Sequence, residues 1–248
     1  MSGRTIDDVV DELDRVVAAC REEGSRAGYF PALYRRVTIG VRDWIRAGRF
    51  DDGPRMERLD VLFADRYLEA WRAHRAGRPT TRAWAEAFEA SREWWPVVLQ
   101  HLLLGINAHI NLDLGIAAAR TAPGDGIHAL EDDFGRINLL LASLVDDVQD
   151  RLARVWPLLR ILDWVGGRSD EATVHFSLER AREEAWAFAV RLAALPEEAW
   201  GDRIEATDRV VADLGDLVRH PGLVSGTALR LVRLGELRGP RGVIDLLS

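Results

Sequence analysis

The chain contains no lysine: all 33 of its basic residues are arginine. That absence removes Schiff-base chemistry and a phosphate-loop lysine from consideration. Skewed base composition explains the bias more simply than function does. A single cysteine, Cys20, excludes an internal disulfide framework and a cysteine-based zinc cage. It lies in an amphipathic helical pattern, where an inert, buried thiol is expected. Basic character is also short, with a net charge of −7. No basic stripe offsets it, because Arg35, Arg36 and Arg42 alternate with apolar residues, so nucleic-acid binding is disfavoured. There is no glycine-rich phosphate loop and no G-x-S-x-G nucleophile elbow. The amino terminus lacks the basic-then-apolar order of a signal peptide, and the one long uncharged run is too short and too polar for a membrane span. A cytoplasmic location is the expectation.

What is present is apolar periodicity at helical spacing over 248 residues, of which 48% are apolar and 29% charged. That length and composition suit one globular domain, residues 1–248. Thr5 is positioned to cap a first helix through Val9, Leu13, Val16 and Val17 to Gly24. A second runs from about Pro31 to Gly48, and a third from Arg55 to about His74 through Leu59, Leu62, Phe63 and Tyr67. Thr80 or Thr81 caps a fourth, with Trp84 and Phe88 on its apolar side. Further helices are expected at about Leu130–Val155, Pro157–Trp164, Ser169–Leu195, Asp202–Val218 and Ala228–Leu237. Residues 239–248 are expected to be loosely attached.

The stretch from Trp95 to Arg120 stands apart. Between Pro96 and Asp113 it carries no formal charge, although Ile106 to Leu114 alternates apolar and polar residues as a half-buried strand would. No second convincing strand is present to pair with it, so it reads as a helix with an irregularity near Gly105. A helix apolar on nearly all sides is one around which the others pack. The expected fold is therefore all-α, a single-domain multi-helix bundle around a buried central helix over about 95–120.

At about 100° per residue, residues four apart share a face. His109 and Asp113 then project together, Asn107 and Asn111 project together on nearly the opposite side, and His101 falls loosely with His109. A His and an Asp one turn apart suit a metal ion or an acid–base pair in which the carboxylate orients the imidazole. The same spacing also arises from satisfied polar contacts inside helical cores. For the Asn pair, the structural alternative is a bridge to backbone groups of neighbouring helices. Arg66, beside the apolar stripe of the third helix, reads more readily as a snorkelling surface residue than as a ligand clamp.

Downstream, Asp146-Asp147-Val148-Gln149-Asp150 matches the aspartate-rich D-D-x-x-D pattern of class I terpenoid synthases literally, and nine Trp residues invite the comparison. Helix geometry opposes it. With a core face near Leu141 and Val148, Asp150 points away and Asp147 lies to one side, which is the pattern of a solvated acidic face. Asp146 differs, since it borders a seam with Asn138, Ala142 and Gln149.

The segment Gly105-Ile106-Asn107-Ala108-His109-Ile110-Asn111-Leu112-Asp113-Leu114 resembles the hallmark of a bacterial and fungal family of uncharacterised all-helical proteins, a domain of unknown function. The similarity spans about Tyr29 to Leu195 and includes Asp65-Arg66-Tyr67, the stretch from Asp133 to Asn138, Val145-Asp146 and Glu184-Ala185-Trp186. The resemblance implies that Asn107, His109, Asn111 and Asp113 are the residues to test. More distantly, His109-x-x-x-Asp113 is similar to the helix-borne pair of the helical zinc-dependent phospholipase C and nuclease group. The remaining His ligands and amino-terminal Trp ligand of that group are missing here.

The functional expectation is a small-molecule enzyme of hydrolase or lyase/cyclase type with an internal, partly aromatic pocket. His109 and Asp113 would hold a divalent metal, zinc or magnesium, or act as acid–base partners. Asp146 would add a second carboxylate, and Asn107, Asn111, His101 and Arg66 would contact substrate. One rival is a non-catalytic helical ligand-binding or interaction protein. The other is a magnesium-dependent enzyme acting on a prenyl diphosphate at Asp146, Asp147 and Asp150. An exposed Trp94-Trp95 surface would favour a homodimer.

Overall fold

The structure, a computed structural model, describes residues 3–141, 178–236 and 238–248. The aspartates Asp146, Asp147 and Asp150, the helix expected at Pro157–Trp164 and the cap expected at Ser169 lie outside the described residues.

Chain entry is set by local chemistry. Thr5 accepts from the backbone of Asp8 while the Asp8 carboxylate accepts from Thr5, a reciprocal cap that starts α1 (Ile6–Glu23). Gly24, at φ 66°, ends it in the left-handed conformation that glycine adopts without strain. After a short 3-10 turn, α2 (Tyr29–Arg46) begins two residues before Pro31, which is tolerated because it falls in the first turn. The expected Asp51–Pro54 turn is the start of α3 (Gly53–Arg75): the Asp52 side chain caps it and Pro54 sits in its first turn. Thr81 caps α4 (Arg82–Ala90).

The central helix is continuous from Val98 to Thr121 but not uniform. An α-helical part, α5 (Val98–Ala108), passes into a π-helical turn over His109–Leu114 and returns to α-helix in α6 (Gly115–Thr121). The irregularity expected near Gly105 thus falls four residues later. By length and hydropathy, Val98–Thr121 would qualify as a membrane span, yet its mean hydropathy of 1.4 serves a core, since 83% of its window is buried inside the protein.

Among the described residues, five helices surround it: α2, α3 and α4, then α8 (Leu178–Ala193) and α9 (Gly201–Arg219). The Ala-rich end of the central helix lets α8 come close. A methyl group on Gly115 would sit 2.6 Å from Phe188 and 3.0 Å from the Ala185 carbonyl. Residues 131–141 form α7, which contributes Phe134, Ile137 and Leu140 to the core. α10 (Leu223–Gly235) begins five residues earlier than expected. Its Arg233 binds the Trp94 carbonyl and Glu236, whose carboxylate in turn accepts from the Val98 N–H and closes the start of the central helix.

The carboxyl terminus departs from expectation. Residues 240–247 form α11 (Pro240–Leu247), with Val243, Ile244 and Leu247 buried against α1 and α2. Its apolar residues recur at one-turn spacing behind a first-turn proline, which is sufficient for docking. The described helices thus make one all-helical domain around a buried core helix, with no strand among the described residues. Trp94 and Trp95 are exposed at 48% and 56%.

Candidate functional site

His109 opens the π-helical turn and is almost wholly buried. Its imidazole lies flat against Phe63, with ring centroids 3.5 Å apart and planes 11° from parallel. Tyr34 meets it edge-on at 4.4 Å and Phe30 at 5.4 Å, while Tyr67 and Trp84 complete the surround at 6.5 and 6.2 Å. Neither ring nitrogen has a hydrogen-bond partner among the described residues. Burial pushes the imidazole pKa below its ordinary value, the Asp113 carboxylate pulls it back, and Arg66 adds to the lowering. A neutral ring in an aromatic cage is the result.

Asp113 is fully buried one turn on and projects to the same side, as the spacing requires. Its carboxylate, however, is engaged elsewhere. Arg66 Nε donates to Oδ1 at 3.0 Å and Trp84 Nε1 donates to Oδ2 at 2.8 Å, leaving His109 Nδ1 at 3.7 Å, outside hydrogen-bond reach. The expected pair in which Asp113 orients His109 is therefore not formed. The expected metal site is not supported either. A guanidinium occupies the carboxylate, and no group of three His, Cys, Asp or Glu residues is placed to hold an ion among the described residues. Arg66 is not a free snorkelling residue: its side chain is 19% exposed and serves as the counter-ion of Asp113.

The Asn seam bridges helices. Asn107 Nδ2 donates to the Val211 carbonyl of α9 at 2.8 Å, and Asn111 Nδ2 donates to Asn107 Oδ1 at 2.8 Å. Asn107 thus ties the central helix to α9, and Asn111 braces Asn107 from one turn on. His101 is also buried with both nitrogens unpartnered, but it faces a separate cavity of about 20 Å³ beside Tyr29, Arg26 and Gly105. Burial and the charges of Arg26 and Arg233 push its pKa down to about 3. It does not join His109.

What His109 does line is a cavity of about 250 Å³ between α2, α3, the central helix, α7 and α8. That is just below the ~300–1,000 Å³ usual for pockets that take drug-sized molecules, a size that suits a small ligand. Its wall is aliphatic and aromatic, from Val41, Leu59, Leu102, Ile110, Leu114 and Ile137 to Phe30, Phe63 and Phe134, with four polar side chains: Tyr34, Asp60, His109 and Arg182. Arg66, Asn107, Asn111, His101 and Asp113 are not among the lining residues.

Three of the four polar groups were not among the sequence candidates. Asp60 lies inside the apolar stripe of α3, four residues after Met56 and three before Phe63. Its Oδ2 has no partner, and burial, reinforced by the Glu57 charge, pushes its carboxyl up to about 7. Tyr34 is completely enclosed and its hydroxyl lacks a partner, with burial as the main cause of a pKa far above that of free tyrosine. Arg182 lies on the buried stripe of α8 with Ala185 and Ala189. Burial pushes its guanidinium down to about 10. Each was recoverable from spacing alone, as a charged or hydroxyl residue in phase with a core stripe.

Other polar residues are structural. Asp133 accepts from the Asp51 and Asp52 N–H groups at 2.8 and 2.9 Å, and Asp208 accepts from Arg82 and Ala83 at 2.8 and 3.0 Å, so each carboxylate helps start a distant helix. Cys20 is fully buried, and burial pushes its thiol up to about 12.

The chain matches, over residues 6–221, a family described as "Family of unknown function (DUF5995)", and it belongs to that family. No curated protein and no solved structure matches it.

Proposed function

For this member of a family without an assigned activity, we propose that the protein binds a largely apolar small molecule in the cavity beside His109. The observation that carries this reading is the cavity itself: a volume of about 250 Å³ inside a closely packed bundle, with an almost wholly apolar wall and a few buried polar groups. The apolar wall has no protein atoms packed against it on the cavity side, and a ligand of matching chemistry supplies those dispersion contacts. The polar atoms of Asp60, Tyr34 and His109 that lack partners supply orientation.

Calorimetric titration with dodecan-1-ol tests the reading. Saturable one-to-one binding is expected, and Val41→Phe, which places a ring in the cavity, weakens it at least tenfold. Absence of saturable binding, or binding indifferent to Val41→Phe in a folded variant, contradicts it.

A second reading, an acid–base enzyme acting on the bound molecule, is favoured by one observation. A neutral imidazole and a carboxyl held near pH 7 line the same cavity, the two protonation states that general acid–base catalysis at neutral pH uses. In this reading Asp60 takes the place first assigned to Asp113. The metal-assisted variant loses support from the engagement of Asp113 by Arg66 and Trp84. Once a turned-over compound is identified, His109→Gln and Asp60→Asn lower kcat at least a hundredfold if the reading is right; unchanged kcat in both removes it.

A further inference from the structure

Resting on the cavity reading above, we infer that the ligand is a single-headed anionic amphiphile, a long-chain carboxylate, whose head group is seated on Arg182 and whose chain fills the apolar space.

Arg182 is only 4% exposed, projects from α8 into the cavity wall and has no carboxylate partner among the described residues. Its contacts are Nε to Asn138 Oδ1 at 2.5 Å, Nη2 to the Phe134 carbonyl at 2.6 Å, and the Phe134 ring, whose centroid lies 4.4 Å from Cζ. These hold the guanidinium in place but supply only neutral dipoles and a ring face. A guanidinium has five N–H donors in a planar fork, and the two bonds from Nε and Nη2 leave most of that fork unused. A buried cation is costly without a counter-charge. The other fully buried arginine among the described residues is paired, Arg233 with Glu236. Arg182 has no such partner among the described residues, and it faces the cavity.

The rest of the wall narrows the chemistry. Past Arg182 the described lining is aliphatic and aromatic as far as the His109 and Asp60 side, so a second charge on the ligand would meet no counter-ion among the described residues. One planar anion at one end matches the bidentate geometry of a carboxylate on a guanidinium. A neutral lipid of the same length would fill the space and leave the cation uncompensated.

Titration of the full chain at pH 6 with dodecanoate below its micellar concentration and with dodecan-1-ol below its solubility limit tests the inference. Dodecanoate is expected to bind about tenfold or more tightly than the alcohol, the difference a charge-assisted hydrogen bond makes. Arg182→Gln is expected to erase that preference while alcohol binding persists, and Arg182→Lys to retain part of it. Equal affinities for acid and alcohol in the unmodified protein overturn the inference and leave the cavity reading intact. A preference that persists in folded Arg182→Gln overturns Arg182 as the seat. If neither compound binds saturably, the cavity reading itself fails and this inference with it. The comparison on the unmodified protein is decisive even where Arg182→Gln does not fold.

Discussion

Asp60→Asn is expected to stabilise the protein above neutral pH and to leave it nearly unchanged in acid. The carboxyl is buried, its Oδ2 lacks a partner, and burial together with Glu57 holds its pKa at about 7 against an ordinary 3.8. Between those two values the folded protein binds a proton that the unfolded chain has released, so stability falls as pH rises through that window. Below about pH 4 both states hold the proton and the ionic penalty vanishes; above about pH 7 both have lost it and the penalty is complete. At about 1.4 kcal/mol per pKa unit, the full gap amounts to on the order of 4 kcal/mol. The amide of asparagine, itself without a partner, trims the gain to about 2–4 kcal/mol at pH 8. Urea unfolding of both proteins at pH 4.5, 6, 7 and 8, with midpoints compared at constant slope, reads the difference directly. Titrating groups that do not interact with Asp60 contribute equally to both proteins and cancel. A difference that stays flat with pH, or a variant less stable than the parent at pH 8, would mean that burial of the Asp60 carboxylate carries no such penalty.

His101 and His109 act in the opposite sense. Their folded pKa values lie below the ordinary 6.5, so stability falls as pH drops below about 6.5, at up to about 1.4 kcal/mol per unit for each, and His101→Leu should reduce the acid slope of urea midpoints accordingly. Asp113→Asn keeps an acceptor for Trp84 but strands the Arg66 charge and should cost about 1–3 kcal/mol, whereas Asp113→Ala loses both bonds and should cost about 3–5 kcal/mol. Equal losses from the two substitutions in denaturant unfolding would argue against the shared carboxylate. Gly105→Ala puts a methyl group 2.5 Å from the Phe30 ring, and should destabilise by about 1–3 kcal/mol while shifting the near-UV circular dichroism of the cage around His109.

The helical plan was legible because its boundaries are written in short-range chemistry. Thr5 with Asp8, Thr81 and Gly24 do locally what their residue types promise, and the uncharged run before Asp113 is the buried central helix. The π-helical turn was not legible: its alternation mimics a strand, and only the surrounding helices select a wider turn over an extended chain. Within the site, helical spacing correctly put His109 with Asp113 and Asn107 with Asn111. It could not say that Asp113 is turned toward Arg66 and Trp84, because those partners come from helices 47 and 29 residues away in sequence. Asp60 and Arg182 were passed over for a different reason. Charged residues on amphipathic helices are ordinarily assigned to solvent, and here each lies in phase with the apolar stripe.

The proposed function depends on an apolar ligand entering the cavity beside His109. Nuclear magnetic resonance of the protein with bound dodecan-1-ol locates the alkyl chain through intermolecular nuclear Overhauser contacts. Contacts are expected to the His109 and Phe63 ring protons and to the Val41 and Ile110 methyl groups. Contacts confined to the exposed Trp94 and Trp95, with none to His109, would contradict it.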